Sequence, residues 1–167
     1  KDDFEGGYDP TVWLNVTGDV ANNSFYVANG SGSLNMGGGG GTVDSVAVDM
    51  SLCTGNILWQ YEGKRGPETP DSTDYLRLSY WSGSAWSTVD TWFGSNITDS
   101  SFSSRGGVIS SPTAYNNAFR VRLVSFGSGS GFDDYFIDDF HVYCDAPLAG
   151  GTGDTAVVDS ATGDTGD

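Results

Sequence analysis

Short runs of alternating apolar and polar residues recur along the chain, separated by Gly, Ser, Asn and Asp. A period of two marks half-buried strands, and the turn formers between runs mark where each strand stops. The pattern predicts strands over residues 11–16, 24–28, 43–52, 56–62, 74–81, 85–93, 118–126 and 134–144. In 43–52, Val46, Val48, Met50 and Leu52 share one face. In 118–126, Phe119, Val121 and Leu123 lie opposite Arg120 and Arg122. No window of useful length carries a helical period. The expected fold is all-β, a two-sheet antiparallel β-sandwich of the jelly-roll type. Residues 37–41 are five consecutive glycines. Without the Lys and following helix of a phosphate loop, they read as a flexible connection between strands. Residues 82–86 read as a hairpin turn whose Trp86 packs inward.

Composition divides the chain. Every aromatic residue lies in 1–145, the expected sandwich. Residues 146–167 form a Thr/Gly/Asp-rich tail in which Thr-Gly-Asp-Thr recurs at 152–155 and 162–165. The tail reads as a disordered or extended acidic spacer. The other reading is that Ala156, Val157 and Val158 pair as a short strand with another subunit. Gly, Ser and Thr together exceed a third of the chain, which argues against a helical bundle or an α/β enzyme. The net charge is −15, and Lys occurs only as Lys1 and Lys64. Nucleic acid and anionic membrane are therefore poor partners, and no apolar stretch is long enough to span a bilayer as a helix. The 19 Asp against 3 Glu favour turns and oxygen-ligand metal sites. The start at Lys1 without Met is expected of a processed or excised piece.

Cys53 and Cys144 end two predicted strands. They are expected to form one disulfide, the alternative being two free buried thiols. His141 is the only histidine: a Ser-His-Asp triad would need it beside a reactive Ser, and no GxSxG occurs, while a multi-His zinc site is not available; His141 reads as a packed or surface strand residue. Carboxylates are too abundant for a glycosidase pair to stand out. The chain is expected not to be an enzyme. Sugar-binding modules stack aromatic rings on pyranose faces. Trp59 and Tyr61 alternate on one predicted strand, Tyr75, Arg77 and Trp81 on the next, and Arg120 and Arg122 on a later one. On one shared face these seven would offer platforms beside cations, suited to a carboxylated or sulfated glycan. The alternative places Trp59 and Trp81 in the core and pairs the arginines with Asp.

The last predicted strand alternates Phe136, Asp138, Phe140 and Val142 on one face. If that face is core, Asp138 is a carboxylate among apolar side chains and needs a proton, a cation or a metal. Calcium takes six to eight oxygens, and Asp3, Glu5, Asp49 and backbone carbonyls are candidates to complete a shell. Two other outcomes remain open: a bulge that turns Asp138 outward, and a site in the loop of Glu68, Asp71 and Asp74.

Several segments carry a family likeness: Asp-Asp-Phe-Glu-Gly at 2–6, Trp13, Val-Ala-Val-Asp-Met-Ser-Leu at 46–52, Asp-Ser-Thr-Asp-Tyr-Leu at 71–76, Trp86, and Phe-Ile-Asp-Asp-Phe-His-Val at 136–142. Together they resemble secreted jelly-roll modules of the MAM-like type and, more distantly, calcium-binding carbohydrate-binding modules. The resemblance implies a β-sandwich, extracellular placement and no catalysis. It also implies a structural calcium held by Glu5 and one of Asp138 or Asp139. Animal MAM domains carry more cysteines. The expected function is a non-catalytic, calcium-stabilised, secreted or cell-surface module that binds a glycan or another surface ligand in adhesion. The alternative is a structural subunit of an extracellular filament or surface layer, self-associating through its tail.

Overall fold

The computed structural model describes residues 1–96, 101–127 and 133–146. The expectations for the Thr/Gly/Asp tail lie outside the described residues. Eight strands are described: β1 Trp13–Asn23, β2 Ser33–Ser45, β3 Ile57–Arg65, β4 Tyr75–Trp81, β5 Trp86–Phe93, β6 Ser103–Ile109, β7 Val121–Phe126 and β8 Tyr135–Cys144. All pairings between them are antiparallel, in the order β5-β4-β7-β2-β8-β3-β6 with β1 beside β2. The predicted all-β sandwich is what forms.

The two layers share β1 and β2. Residues 41–44 of β2 pair with β7, whereas residues 34–36 pair with β8. β1 follows β2 through both halves, with a register shift between Gly18 and Val20. The strand pair therefore turns a corner from one layer into the other, and the corner is the glycine run. Gly18 and Gly40 have φ of 78° and 86°, the left-handed region that favours glycine. A Cβ at Gly18 would strike the Gly40 carbonyl oxygen, and one at Gly37 would strike the Asp19 carboxylate. At Gly41 a Cβ would lie 2.6 Å from Val20 Cγ2 and 2.9 Å from the Asp19 carbonyl oxygen. The glycines expected to be a loose connection thus lie within a strand, where two backbones approach too closely for side chains.

One core fills the space between the layers. Leu76, Leu78 and Tyr80 of β4 and Val121 and Leu123 of β7 point inward from one side. Ile57, Trp59 and Tyr61 of β3 and Tyr135, Ile137 and Phe140 of β8 meet them from the other. At the edge away from the corner, Arg105 of β6 bonds Asp90 of β5 at 2.5 Å, with its guanidinium 4.9 Å from the Trp92 ring centroid. Cys53 and Cys144 form the expected disulfide, with Cα atoms 5.7 Å apart across 91 residues of sequence. Such a cross-link typically contributes about 2–4 kcal/mol by restricting the unfolded chain.

Four local expectations are corrected. Residues 24–28 form no strand, because Asn23 Oδ1 accepts the N–H groups of both Phe25 and Tyr26 at 2.8 Å and bends the chain. The strand expected over 43–52 ends at Ser45; beyond it Val48 makes one bridge to Phe119, and Leu52 is exposed. β6 lacks a predicted counterpart, since Gly106 and Gly107 erase its alternation. A Cβ at Gly107 would sit 3.1 Å from Trp59 Nε1, so small residues suit this strand. Trp86 follows the expected hairpin turn, in which Ser82 N–H donates to the Ala85 carbonyl at 2.9 Å, but it lies outward rather than inward.

Gly18→Ala combines left-handed strain with a backbone collision. It is expected to cost about 2–4 kcal/mol, whereas Gly6→Ala, whose Cβ meets nothing within 4 Å, should leave stability unchanged. Urea unfolding of both variants checks this; equal midpoints would mean that the corner relaxes freely.

Candidate binding face and buried carboxylates

Inward Leu76, Leu78 and Tyr80 force Tyr75, Arg77, Ser79 and Trp81 onto the outer side of β4. On β7, the same alternation sends Arg122, Val124 and Phe126 outward, with Arg120 just before them. Register then assembles rows across the sheet. Phe93, Tyr75 and Phe126 form one row, and Thr91, Arg77 and Val124 the next. Ser79, Arg122 and Asp44 follow, and then Trp86 beside Trp81. Backbone bonding extends that last row, since Trp81 N–H donates to the Arg120 carbonyl at 2.9 Å.

Each row has its own contacts. Tyr75 stacks on Phe126 with centroids 5.4 Å apart and meets Phe93 edge-on at 6.2 Å. The Arg77 guanidinium lies 4.4 Å from the Tyr75 centroid. Phe93 and Phe126 are 41% and 49% exposed, large values for rings on one small patch. At the other end Trp81 and Trp86 pack edge to face at 5.5 Å. Arg122 lies 4.0 Å from the Trp86 centroid and makes a two-point bond to Asp44, 2.5 Å from Nε to Oδ1 and 2.7 Å from Nη2 to Oδ2. The Asp44 pair pushes the Arg122 pKa further up. Among the described residues, neither Arg77 nor Arg120 is ion-paired. The face can stack planar or ring-shaped groups and hold an anion beside them.

Five of the seven predicted ligand residues, Tyr75, Arg77, Trp81, Arg120 and Arg122, share this face. Trp59 and Tyr61 do not; they are 7% and 2% exposed and belong to the core. Sequence reading missed Phe93, Phe126 and Trp86. Phe93 and Phe126 lie at strand ends, where the alternating pattern could have placed them.

The carboxylates expected to bind metal are distributed differently. β8 changes face at a bulge: Gln60 pairs with His141 but Glu62 with Asp138, so Asp139 and Phe140 oppose Tyr61 alone. Asp139 has φ 48°, the left-handed turn that makes the switch. Core positions are therefore Tyr135 and Ile137 before the bulge and Phe140 after it. Phe136 and Asp138 lie on the other side, beneath the loop between β1 and β2. There Tyr26 packs on Phe136 at 4.7 Å, and Asp138 accepts N–H bonds from Ala28, Asn29 and Asp139 at 2.9, 3.1 and 2.7 Å. Glu5 holds the same loop further on, accepting from Ser31 N–H and Oγ at 2.7 and 2.8 Å. Asp139 bonds Asn29 and lies 3.8 Å from Lys1. Asp3 is exposed at the start of the turn, and Asp49 is exposed and caps its own turn through Ser51. Among the described residues, no three His, Cys, Asp or Glu side chains converge as a metal cluster.

Asp2, which sequence reading passed over, organises the N-terminal arm. Its carboxylate accepts Phe4 N–H at 2.8 Å, Asp9 N–H at 3.1 Å and Trp13 Nε1–H at 2.7 Å. His141 lies in a polar cleft of about 320 Å³ with Lys1, Gln60, Glu62, Ser104 and Asp139.

No family model matches the chain, and no curated protein matches it. Solved structures do. The K1 cleaved adhesin domain of Lys-gingipain from Porphyromonas gingivalis W83 is 11% identical, over 87% of this chain and 97% of that one, with a TM-score of 0.63. The xylan-binding domain from CBM 22 is 14% identical, over 84% and 90%, with a TM-score of 0.55. TmCBM61, solved in complex with β-1,4-galactotriose, is 14% identical, over 84% and 93%, with a TM-score of 0.54. The chain thus shares its β-sandwich fold with carbohydrate-binding modules and an adhesin domain.

Burial raises the pKa of Asp2, Asp134 and Asp138 above the ordinary 3.8, against the N–H bonds that lower it at Asp2 and Asp138. The native state thus binds protons more readily than the unfolded chain just above pH 3.8. Stability from these groups should rise as pH falls through the raised values, and be complete below 3.8. His141 acts oppositely, because burial and Lys1 push it below 6.5, so its contribution is lost on acidification. In a His141→Gln background without divalent ions, urea-unfolding stability should rise from about pH 7 towards pH 4. Asp138→Asn should shrink that rise; a fall on acidification would show that the hydrogen bonds outweigh the cost of burial.

Proposed function

We propose that this chain is a non-catalytic glycan-binding module, and that the outer face of β4, β5 and β7 is its binding surface. One observation carries the reading. While ten rings lie buried in the molecule, exposed Phe93 and Phe126 line up in one row with half-buried Tyr75 between them and Arg77 alongside. Ring faces stack on the apolar faces of pyranoses, and the adjacent polar groups fix hydroxyls. Arg77 and Arg120 add positive charge where the rest of the molecule is acidic, which suits a sugar chain carrying carboxylate or sulfate. The shared fold of modules solved with galactotriose or described as xylan-binding supports the class of ligand, as does the adhesin domain for a surface role. The disulfide fits a secreted or cell-surface protein.

Binding to immobilised neutral and acidic polysaccharides, measured by affinity electrophoresis and calorimetry, tests this. Tyr75→Ala and Phe126→Ala should each weaken binding roughly tenfold without loss of fold. Arg77→Ala should matter for acidic chains and little for neutral ones. Trp59→Ala, by contrast, should act through stability. Retention of full affinity by both aromatic variants would place the ligand elsewhere.

Calcium belongs to the same proposal in a reduced form. Asp138 already accepts three N–H bonds, which leaves Glu5 and Asp139, with carbonyls of loop 28–31, as the donors for an ion joining the N-terminal arm to β8. Calcium bound there would stabilise the native state by mass action. Thermal unfolding should move upward by several degrees when calcium replaces chelator, and Glu5→Gln should abolish most of that shift. A wild-type curve indifferent to chelation removes calcium from the reading.

A further inference from the structure

The second layer has an outer face of its own. Inward Ile57, Trp59 and Tyr61 turn Leu58, Gln60 and Glu62 of β3 outward, and inward Phe140 and Val142 turn His141 and Tyr143 of β8 outward. Register sets them in rows. Val108, Leu58 and Tyr143 form one row, Gly106, Gln60 and His141 the next, and Ser104 lies beside Glu62 in the one after. Gly106 has no side chain to cover Gln60 from β6. The cleft of about 320 Å³ lies over the two polar rows, with Lys1 and Asp139 at its wall. Asp139, at φ 48°, is the strained turn of the bulge there. The charged groups of the cleft already have partners: Glu62 accepts the Ser104 hydroxyl, and Asp139 accepts Asn29 Nδ2 and lies 3.8 Å from Lys1. The Gln60 amide and the His141 imidazole, partners in register, make no side-chain hydrogen bond or ion pair among the described residues. Burial and Lys1 hold the imidazole below 6.5, so it is uncharged at neutral pH.

What the cleft leaves open is therefore neutral and two-sided: an amide and an imidazole, each with a donor and an acceptor. We propose that this cleft is a second ligand site, for one uncharged, hydroxyl-bearing ring such as a neutral sugar residue. Gln60 and His141 bond its hydroxyls, and the adjoining row of Leu58 and Tyr143 meets its apolar face. A hydroxyl both donates and accepts, so it matches these groups without a charge being desolvated. A carboxylate or sulfate would instead lie beside Glu62 and Asp139 and be repelled. The volume is at the lower end of the roughly 300–1,000 Å³ of small-molecule sites, enough for a ring rather than a long chain. The site lies on the other layer from Arg77 and Arg120, has the opposite preference for charge, and does not depend on the reading of that face.

His141 is the only histidine, so its imidazole signals in a nitrogen–proton NMR spectrum report on the cleft without further assignment. The probes are methyl β-glucoside, methyl β-galactoside and methyl β-xyloside, with methyl β-glucuronoside as the charged counterpart, titrated at neutral pH in chelator. At least one neutral glycoside should shift the His141 signals saturably. Gln60→Ala, at an exposed position, should weaken that binding about fivefold or more, the loss of roughly one neutral hydrogen bond. Should Gln60→Ala lose the fold, Gln60→Glu, which keeps the shape and replaces the amide by a charge, decides in its place. Tyr75→Ala, which removes a ring from the other face, should leave the His141 shift as in wild type, even where it abolishes polysaccharide binding there. No saturable shift with any of the three neutral glycosides overturns the site. So does an undiminished affinity in the Gln60 variant, or loss of the shift in Tyr75→Ala, which would trace it to the other layer. Tighter binding of the glucuronoside than of every neutral glycoside would mark an anion site at Lys1 and also overturns the proposal.

Discussion

The close approach of β1 and β2 at Gly18, Gly40 and Gly41 is the constraint on which the rest of the structure depends. Both layers hang on this one pair of strands: β7 pairs with one half of β2, and β8 with the other. A strand that serves two sheets couples their registers, since a slip by one residue would turn every side chain of a layer to its opposite side. The corner needs backbone where side chains would normally lie. A Cβ at Gly41 would crowd Val20 and the Asp19 carbonyl, and one at Gly127, just beyond β7, would lie 2.8 Å from Gly38 Cα. Glycines at 37, 40 and 41, facing Gly18, are thus what lets a continuous strand change layers.

Once that register is set, the character of the outer face follows. Val43 and Leu123 meet as partners on the core side, so Asp44 and Arg122 must meet on the outside one position along. Their two-point bond fixes the guanidinium over Trp86, which in turn holds Trp81. The far end of the face has no such acidic clamp. There Arg77 leans on Tyr75, and the rings of Phe93 and Phe126 remain exposed. One end is therefore held by charge and internal stacking, and the other presents aromatic surface with an arginine that has no ion pair among the described residues. The second end is the part of the face on which the proposed recognition by stacking rests, and the first is internally held.

Much of this was legible in the sequence where alternation is clean. The opposition of Phe119, Val121 and Leu123 to Arg120 and Arg122 survives intact, and Tyr75, Arg77 and Trp81 lie together as spacing implied. What failed has physical causes. Trp59 and Tyr61 alternate as Tyr75 and Arg77 do, and a period of two says which residues share a side without saying which side faces the core. Glycine is silent in a hydrophobic pattern, which hid β6 and made the corner of β2 look like a loop. The bulge at Asp139 shifts the period by one, so faces read from one end of β8 are wrong at the other. The disulfide, resting on two strand-end cysteines alone, needed no register and was read correctly.

The acidity of the chain divides by how each buried carboxylate is satisfied. Asp2 and Asp138 are held by N–H donors, chiefly of the N-terminal arm and the loop between β1 and β2, so their charge fastens irregular segments, the first of which has one bridge to β8 at Phe140. Buried Asp44 and half-buried Asp90 are each paired with one arginine; the first pair ties strands distant in sequence, β2 and β7, and the second ties the consecutive strands β5 and β6. Those pairings remove Arg122 and Arg105 from the positive charge that could meet a ligand, leaving Arg77 and Arg120, which have no ion pair among the described residues, to give the proposed binding face its sign. A chain with net charge −15 and only five arginines therefore has a narrow choice: each guanidinium used to neutralise a buried Asp is one fewer for an anionic partner. Backbone N–H groups, which carry no net charge, satisfy Asp2 and Asp138 at no cost in arginine, and that economy is what leaves two cations on the outer face.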